Sequence, residues 1–279
     1  MNEILMEDKE TFVKELKLED FKIYDDNSDV FIMILKTKPE LCDIDILGKS
    51  SYEWVRNVVK DYNFKEYDYN NEDIVRFIKE NVFNKKIVVV LFSNLPLLTK
   101  STLESYIEYF KIKRLSTLKM PKGFIFDFQY LLNVEKVYNP QTINLFEEDF
   151  IALNSLNDLS RIFNTMKKRI LDFHSSNGVI IYDENSTIID AEVNINAGVK
   201  IYPNNTILGE TYLSNGVVFC GGNKINNSII KDNCLIENSI IDNCIIESNC
   251  KVTDYSVIKN KVVISENSTI CNKTILGEK

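Results

Sequence analysis

A hydrophobic residue recurs at steps of six through the last third of the chain, with three steps of five. This period fits neither an α-helix, at about 3.6 residues per turn, nor a single amphipathic strand, at about 2. It is typical of a parallel β-helix of hexapeptides, and the span 189–276 predicts about five coils. The sixteen positions expected to point inward are Ile189, Ile195, Ile201, Ile207, Leu213, Phe219, Ile225, Ile230, Ile236, Ile241, Ile246, Val252, Ile258, Ile264, Ile270 and Leu276.

A second column of small or β-branched residues lies four positions after the first. Such residues suit the inward corners of a tight coil, so Cys234 and Cys250 are predicted to be small buried residues and not metal ligands. Asparagine, which tolerates the positive φ values of tight turns, is frequent in the same region. The members of the second column are Val193, Val199, Thr211, Val217, Cys234, Cys250, Ser256, Val262, Ser268 and Thr274.

The first half of the chain alternates strand-like and helix-like segments, which predicts an α/β domain with a mainly parallel sheet. Each predicted helix opens at a serine suited to capping. Residues 1–29 are charged and show no clear pattern. The predicted strands are 30–35, 86–92 and 123–128, and the predicted helices are 51–62 and 101–111.

A longer amphipathic helix, about 155–173, is predicted between the two halves, with an apolar stripe expected to be its packing face. The stripe consists of Leu156, Leu159, Phe163, Met166, Ile170 and Phe173. His174, the single histidine, follows the stripe and is expected to be a capping or surface residue. The predicted domains are therefore 1–153, an α/β domain; 154–176, a connecting helix; and 177–279, a β-helix.

Composition narrows the class of protein. Hydrophobic residues make up 44% of the 279 residues and charged residues 27%, which excludes disorder and coiled coil as the main class. The net charge of −8 opposes binding to nucleic acid, which needs a surplus of cations. No apolar run in the sequence approaches the roughly 20 residues of a membrane helix.

The acidic N-terminal residues lack the apolar core of a signal peptide. We therefore expect a cytoplasmic protein with reduced cysteines, and the lack of CxxC pairs argues against structural zinc.

The junction of the two halves carries a family resemblance. The span 153–256 opens LNSLNDLSRIFNTMKK and includes LIENSIIDNCIIESNCKV at 235–252. It resembles the connecting helix and β-helix of the bacterial bifunctional N-acetylglucosamine-1-phosphate uridyltransferase/glucosamine-1-phosphate acetyltransferase family. Weaker similarity lies at 46–59, ILGKSSYEWVRNVV, and at 88–107, VVVLFSNLPLLTKSTLESYI. The resemblance implies an abbreviated, Rossmann-like nucleotidyltransferase domain, then a left-handed parallel β-helix that assembles into a homotrimer.

The family joins UTP to a sugar 1-phosphate with magnesium, and the residues that would do so are altered here. The stretch that matches the family's glycine-rich phosphate loop, 35–45, contains no glycine. Asn94 stands where the family has an aspartate, and a neutral amide is a poor replacement for a carboxylate on magnesium. The segment 112–122 is too short for the family's sugar-binding lobe. We therefore expect a truncated, degenerate relative without a cofactor.

Two further functions stay open. An active nucleotidyltransferase would need magnesium and atypical ligands, for which the candidate residues are Lys36, Asp43, Asp45, Lys49 and Asn94. Its discriminating feature would be convergence of the two aspartates with Lys36 or Lys49. A β-helix enzyme of unknown chemistry would need a deep cleft between packed β-helices. Acetyl transfer as in the family is not expected, because no histidine follows His174. A sugar nucleotide is a candidate ligand both for a degenerate relative and for an active nucleotidyltransferase.

Overall fold

The apolar run at 30–35 forms a central strand of a six-stranded sheet in the computed structural model, which describes residues 29–69, 73–83, 85–137 and 139–277. Almost all of residues 1–29 therefore lies outside the described residues. The chain divides into two compact units. One contains residues up to Ile44 and Ser50–Ile162, and the other contains Asp45–Lys49 and Phe163–Lys279. The predicted boundaries at 153/154 and 176/177 stay a prediction.

The first unit is an α/β domain with an abbreviated, Rossmann-like architecture. Its strands are β1 (Val30–Lys36), β2 (Asn63–Asp68), β3 (Ile87–Phe92), β4 (Thr117–Met120), β5 (Gly123–Asp127) and β6 (Gln141–Thr142). Its helices are α1 (Pro39–Cys42), α2 (Ser51–Val59), α3 (Ile74–Asn81), α4 (Lys100–Ile112), α5 (Phe128–Leu132) and a 3₁₀ helix, Glu147–Phe150.

The sheet is mainly parallel, as expected, but it is mixed, because β5 alone runs against the other described strands. Its order is β2-β1-β3-β5-β4-β6. Strand β1 is parallel to β2 and β3, but β5 runs antiparallel to both β3 and β4. The reason is local: the segment 112–122 completes α4 and forms β4, which returns through a tight turn into β5. Gly123 has φ +132°, and a Cβ there would lie 2.6 Å from the Val90 carbonyl oxygen.

Strand β1 supplies side chains to both faces of the sheet, as a buried parallel strand must. Ile32 and Ile34 belong to one apolar cluster, and Met33 and Leu35 to another. The capping residues of α2 and α4 lie one and two positions earlier than the serines expected from the sequence. Ser50 caps α2, and its side chain accepts from the Glu53 N–H at 3.2 Å. Thr99, in the same way, caps α4.

The second unit contains the β-helix, as the six-residue period predicted. Its strands lie in three parallel sheets of six, six and five strands, the arrangement of a left-handed β-helix of hexapeptides. The strands are β7 (Ile180–Ile181), β8 (Ile188–Ile189), β9 (Asn194–Ile195), β10 (Lys200–Ile201), β11 (Thr206–Leu208), β12 (Tyr212–Leu213), β13 (Val218–Cys220), β14 (Lys224–Asn226), β15 (Ile229–Ile230), β16 (Leu235–Glu237), β17 (Ile240–Asp242), β18 (Ile245–Ile246), β19 (Lys251–Val252), β20 (Val257–Ile258), β21 (Val263–Ile264), β22 (Thr269–Ile270) and β23 (Ile275–Leu276).

The predicted inward register is confirmed. Thirteen of the sixteen positions are buried, and Ile195, Ile270 and Leu276 are partly buried against the same cluster. Cys234 and Cys250 are buried as expected, and the pKa of the Cys234 thiol is raised to about 11, mainly by burial. Many corners hold asparagine at positive φ, for example Asn243 at +55°. Asparagine reaches this region at less cost than most residues, because its short side chain can bond locally.

The connecting helix α6 (Leu156–Ser176) does not bury the predicted stripe as one face. Leu156 and Phe173 are 66% and 63% exposed, whereas Ile162 and Leu171 are buried. Ile162 and Leu171 are nine residues apart, so at 3.6 residues per turn they point to opposite sides of the helix. The helix therefore buries different sides along its length. No helix of the described ranges is long and apolar enough to cross a bilayer.

His174 is buried at the end of α6, which corrects its assignment as a surface or capping residue. Only 4% of the residue is exposed, and its ring packs edge-to-face on Phe173 with centroids 5.3 Å apart. Burial lowers the pKa of the imidazole. A neutral ring is a weak complement to the partial negative charge at a helix C-terminus. His174 is therefore best understood as a core residue of the second unit.

Candidate functional site

The carboxyl ends of β1 and β3 form the candidate site of the α/β domain. From β1 the chain passes through α2 to β2 on one side, and from β2 it passes through α3 to β3 on the other side of β1. Such a reversal is a topological switch point, where open α/β sheets bind their ligands. The residues that follow β1 and β3, beginning at Thr37 and Ser93, line this position.

Ser93 holds the two loops of the site together. Its N–H donates to the Leu35 carbonyl at 3.0 Å, and its Oγ accepts from the Thr37 N–H at 3.2 Å. The Cys42 thiol lies 3.2 Å from the same Oγ and donates to the Thr37 carbonyl at 3.1 Å. Burial is the main cause that raises the pKa of Cys42. The loop after β1 is therefore folded onto β3 by its own polar groups, with α1 where a glycine-rich phosphate loop was expected.

Asn94, at the carboxyl end of β3, is bonded to a segment distant in sequence. Only 6% of the residue is exposed. Its Nδ2 donates to the Leu153 carbonyl at 3.3 Å and to Asn154 Oδ1 at 3.2 Å. The Leu153 N–H donates back to the Asn94 carbonyl at 2.9 Å. The carboxamide is thus a buried tether between β3 and the start of α6.

Asn154 is a residue of this site that the sequence interpretation missed. The Lys38 ammonium donates to the Asn154 carbonyl, and the Asn154 N–H donates to Asp158 Oδ2 at 3.1 Å. Asp158 also accepts from the Ser155 N–H at 2.9 Å, and the hydroxyl of Ser155 is the main cause that lowers the pKa of this carboxyl. The available signal was the capping pattern Ser-x-x-Asp at 155–158. That pattern fixes the first turn of α6.

Lys36, the last residue of β1, is paired within its own sheet. Its Nζ lies 3.4 Å from Glu66 Oε2 and 5.3 Å from the centroid of the Tyr52 ring. Arg56 Nε lies 3.4 Å from the other Glu66 oxygen. Burial, followed by the hydrogen bond to Glu66, raises the pKa of Tyr52 to about 12. One carboxylate is therefore shared by two cations and a phenol.

Asp45 and Lys49 belong to the second unit, in a tight turn. The Ile46 N–H donates to the Lys49 carbonyl at 2.8 Å, and the Gly48 N–H donates to Asp45 Oδ1 at 3.3 Å. Leu47 and Gly48 have φ +56° and +86°. The Lys49 ammonium is paired with Glu192, and the Leu47 carbonyl accepts from the Ala191 N–H at 3.0 Å. The turn is therefore bound to the β-helix.

The residues that were candidates for magnesium do not together form a cluster of metal ligands in the described ranges. Asp43 is exposed at the C-terminal end of α1, and Asp45 is exposed in the turn that follows, where it accepts from the Gly48 N–H. Across the described ranges, no three His, Cys, Asp or Glu side chains come together as ligands for a metal. Asn94, the remaining candidate, uses its amide group as a donor to 153–154. Hard cations prefer carboxylate and carbonyl oxygens.

The fold defines a class: an abbreviated, Rossmann-like α/β domain joined to a hexapeptide β-helix. Comparison with known proteins confirms the resemblance to the bifunctional protein GlmU. The chain is 32% identical to GlmU of Clostridium kluyveri over 123 residues, 44% of this chain and 27% of the relative. It is 31% identical to GlmU of Clostridium acetobutylicum over 131 residues, 47% of this chain and 27% of that relative. The matched length is thus about a quarter of these two relatives.

More distant similarity is found in other organisms. GlmU of Rippkaea orientalis is 30% identical over 146 residues, 51% of this chain and 32% of the relative. A solved cytidylyltransferase structure from Leptospira borgpetersenii aligns over 53% of this chain and 96% of that one, with 10% identity and a TM-score of 0.39. No protein-family model matches the chain.

Proposed function

We propose that this chain is a non-catalytic relative of the GlmU-type sugar nucleotidyltransferases, with a binding or scaffold role for the α/β domain and an assembly role for the β-helix. The observation that supports this most directly is the position of Asn94. Its amide donates to Leu153 and Asn154, whereas the family resemblance expects a metal-binding carboxylate at this residue. The amide nitrogen, which takes the place of one carboxylate oxygen of an aspartate, is used to hold the chain together.

The two candidate lysines, together with Lys38 in the loop after β1, support the same proposal. Nucleotidyl transfer depends on positioning the phosphates and neutralising their charge. Lys36 is paired with Glu66, Lys49 is paired with Glu192, and Lys38 donates to the Asn154 carbonyl. Each of these ammonium groups already contacts an oxygen of the protein. The loop after β1 also lacks the glycines that allow a close approach of backbone N–H groups.

The test is release of pyrophosphate from UTP and N-acetylglucosamine 1-phosphate with magnesium, with GlmU of Clostridium kluyveri as the positive control. Our proposal expects turnover well below about 1 s⁻¹, the lower end of ordinary enzymes. Turnover at or above that value would support the alternative, an active nucleotidyltransferase with atypical ligands. Thermal-shift titrations with UTP, UDP-sugars and sugar phosphates, with and without magnesium, then ask whether ligand binding survives.

The assembly role rests on an apolar column on one face of the β-helix. Tyr212, Ile229, Ile245 and Val263 are in register on successive strands β12, β15, β18 and β21. Tyr212, Ile229 and Val263 are 39%, 40% and 56% exposed. A continuous exposed apolar strip is typical of a protein interface. We propose that copies of the chain pack through this face, as a trimer.

A pair of matched variants tests the interface. Ile229→Lys places a charge in the column, and Ile240→Lys places the same charge on a different sheet at a side chain that is 39% exposed. Light scattering should give a trimer for the parent and for Ile240→Lys, and a smaller species for Ile229→Lys, because burying an unpaired charge is costly. A monomeric parent, or equal behaviour of the two variants, would contradict the proposed face.

A further inference from the structure

Two Asn-Gly dipeptides occur in the chain, Asn177–Gly178 and Asn215–Gly216. Asparagine is a thermolabile residue. A following glycine lacks a side chain that would hinder the approach of its own backbone nitrogen. In such a pair the backbone nitrogen can attack the side-chain carbonyl carbon of the asparagine. The two dipeptides sit in very different surroundings, so the fold assigns them different reactivity.

Asn177–Gly178 is held by ordinary hydrogen bonds at the end of α6. Asn177 Nδ2 donates to the Phe173 carbonyl at 2.8 Å, which fixes the carboxamide against the helix. The Asn177 N–H donates to the same carbonyl at 3.1 Å. The Gly178 N–H donates to the Ser175 carbonyl at 3.0 Å, so the nucleophilic nitrogen is engaged. Attack would require these bonds to open first.

Asn215–Gly216 lies at an exposed corner of the β-helix, where the carboxamide is loosely held. Asn215 Nδ2 donates to Asp232 Oδ1 at 3.5 Å, at the limit of hydrogen bonding, and Asn215 Oδ1 accepts from Asn196 Nδ2 at 3.4 Å. The Gly216 N–H makes no hydrogen bond to any part of the chain that the structure describes. The nucleophile is therefore available, and the electrophilic carbonyl faces an amide donor.

We propose that Asn215–Gly216 is a deamidation site of the β-helix and that the fold protects Asn177–Gly178. In this reaction the Gly216 nitrogen loses its proton to solvent base and bonds to Cγ of Asn215. The Cγ–Nδ2 bond then breaks, and ammonia leaves. The resulting succinimide is opened by water at either carbonyl, giving aspartate or an isoaspartyl linkage. The Asn196 amide can stabilise the oxyanion that forms on Oδ1 during attack.

The reaction would weaken the coil in which it occurs. The new carboxyl group would lie beside Asp232, which accepts from the Ser214 hydroxyl and from the Asn215 N–H at 3.1 Å. Two adjacent carboxylates repel each other. An isoaspartyl linkage would also lengthen the backbone at a corner where the Asn233 N–H donates to the Asn215 carbonyl at 2.9 Å. A Cβ on Gly216 would lie 2.5 Å from Asn233 Oδ1, so this corner has little spare room.

The test is peptide mapping of the full chain after incubation in mildly alkaline buffer. Trypsin places the two sites on separate peptides, 170–200 and 201–224, and fragmentation locates the modified residue. We expect deamidation of Asn215 to exceed that of Asn177 by on the order of tenfold or more, because several hydrogen bonds must open at Asn177. In urea-unfolded protein the two rates should become similar, which assigns the difference to the fold.

Two variants refine the test. Asn196→Ala should slow deamidation of Asn215 several-fold while leaving Asn177 unchanged, because it removes the donor to Oδ1. Asn215→Gln should abolish reaction at this site and preserve the melting temperature during incubation. Equal rates at the two sites in folded protein would overturn the proposal. No detectable reaction at Asn215 under conditions that modify the unfolded chain would also overturn it.

Discussion

Replacement of Asn94 by aspartate distinguishes two interpretations of this residue. Asn94 is either a structural amide or an altered metal ligand. The amide group donates two hydrogen bonds, to the Leu153 carbonyl at 3.3 Å and to Asn154 Oδ1 at 3.2 Å, and the residue is 6% exposed. Asn94→Asp removes both donors and turns a carboxylate oxygen toward two oxygen acceptors. We expect a loss of stability, not a gain of activity.

The size of the loss follows from the groups left without a partner. Leaving a buried acceptor unsatisfied costs about 1–3 kcal/mol, and a facing carboxylate adds repulsion. A loss of 1–3 kcal/mol in a domain of this size lowers the melting temperature by roughly 2–10 °C. The penalty should shrink in acid, where the introduced carboxyl is protonated and can donate a hydrogen bond.

Thermal unfolding of Asn94→Asp, Asn94→Ala and the parent measures this penalty near neutral pH and in acid. Asn133→Asp is the matched control, because Asn133 is exposed and its Nδ2 donates to the Gln129 carbonyl at 2.9 Å. The control should change stability by only about 0.5 kcal/mol or less. Pyrophosphate release by Asn94→Asp should stay at the parent level, since the loop after β1 still lacks glycine and the segment 112–122 is still too short for a sugar-binding lobe.

One pattern of results would refute this reasoning. If Asn94→Asp were as stable as the parent, gained further stability from magnesium and released pyrophosphate, Asn94 would be a lost metal ligand in an otherwise intact site. The bonds to 153–154 would then contribute little to stability. Loss of stability without a magnesium effect would instead support the tether.

Three further predictions concern the second unit. Burial lowers the pKa of His174, so stability should fall as pH drops below the unfolded value of about 6.5, and His174→Gln should flatten that dependence in urea unfolding. Asn223→Ala should lower the free energy of unfolding by about 1–3 kcal/mol, because Asn223 Nδ2 donates to buried Asn205 Oδ1 at 2.8 Å. An unchanged melting temperature would contradict a stabilising role for this hydrogen bond. Ellman's reagent should reach only the half-buried Cys220 and Cys271 before unfolding, and fast reaction of all six thiols would contradict the packing.

The β-helix could be predicted from the sequence because each position in the repeat has one structural meaning. Ile236, Ile246 and Ile264 fall on the six-residue column and are 0%, 0% and 5% exposed. The strand positions of the α/β domain were predictable for a similar reason, since 30–35 and 86–92 are short, apolar and β-branched. The antiparallel direction of β5 was not predictable, because the direction of a strand depends on the turn that precedes it.

The candidate site was less predictable because its contacts join residues that are far apart in sequence. No local pattern pairs Lys49 with Glu192, or Asn94 with Asn154. The family resemblance of the segment 88–107 singled out Asn94 and predicted that it follows a strand. The structure places it just after the end of β3. The sequence offered no sign that the amide would be buried, since asparagine before a proline is common in exposed turns.

A single chemical difference at residue 94 can account for both the expected loss of catalysis and the observed tether. A buried carboxylate at the end of β3 would need a cation or several donors to be stable. A carboxamide brings its own donors, so it can satisfy Leu153 and Asn154 without a metal. Once those bonds form, they favour asparagine through folding stability, independently of any ligand. An aspartate at this position would then require its cation at the same time, because we expect the carboxylate alone to weaken the fold. A metal-binding site at this residue could therefore form only together with the rest of its ligands.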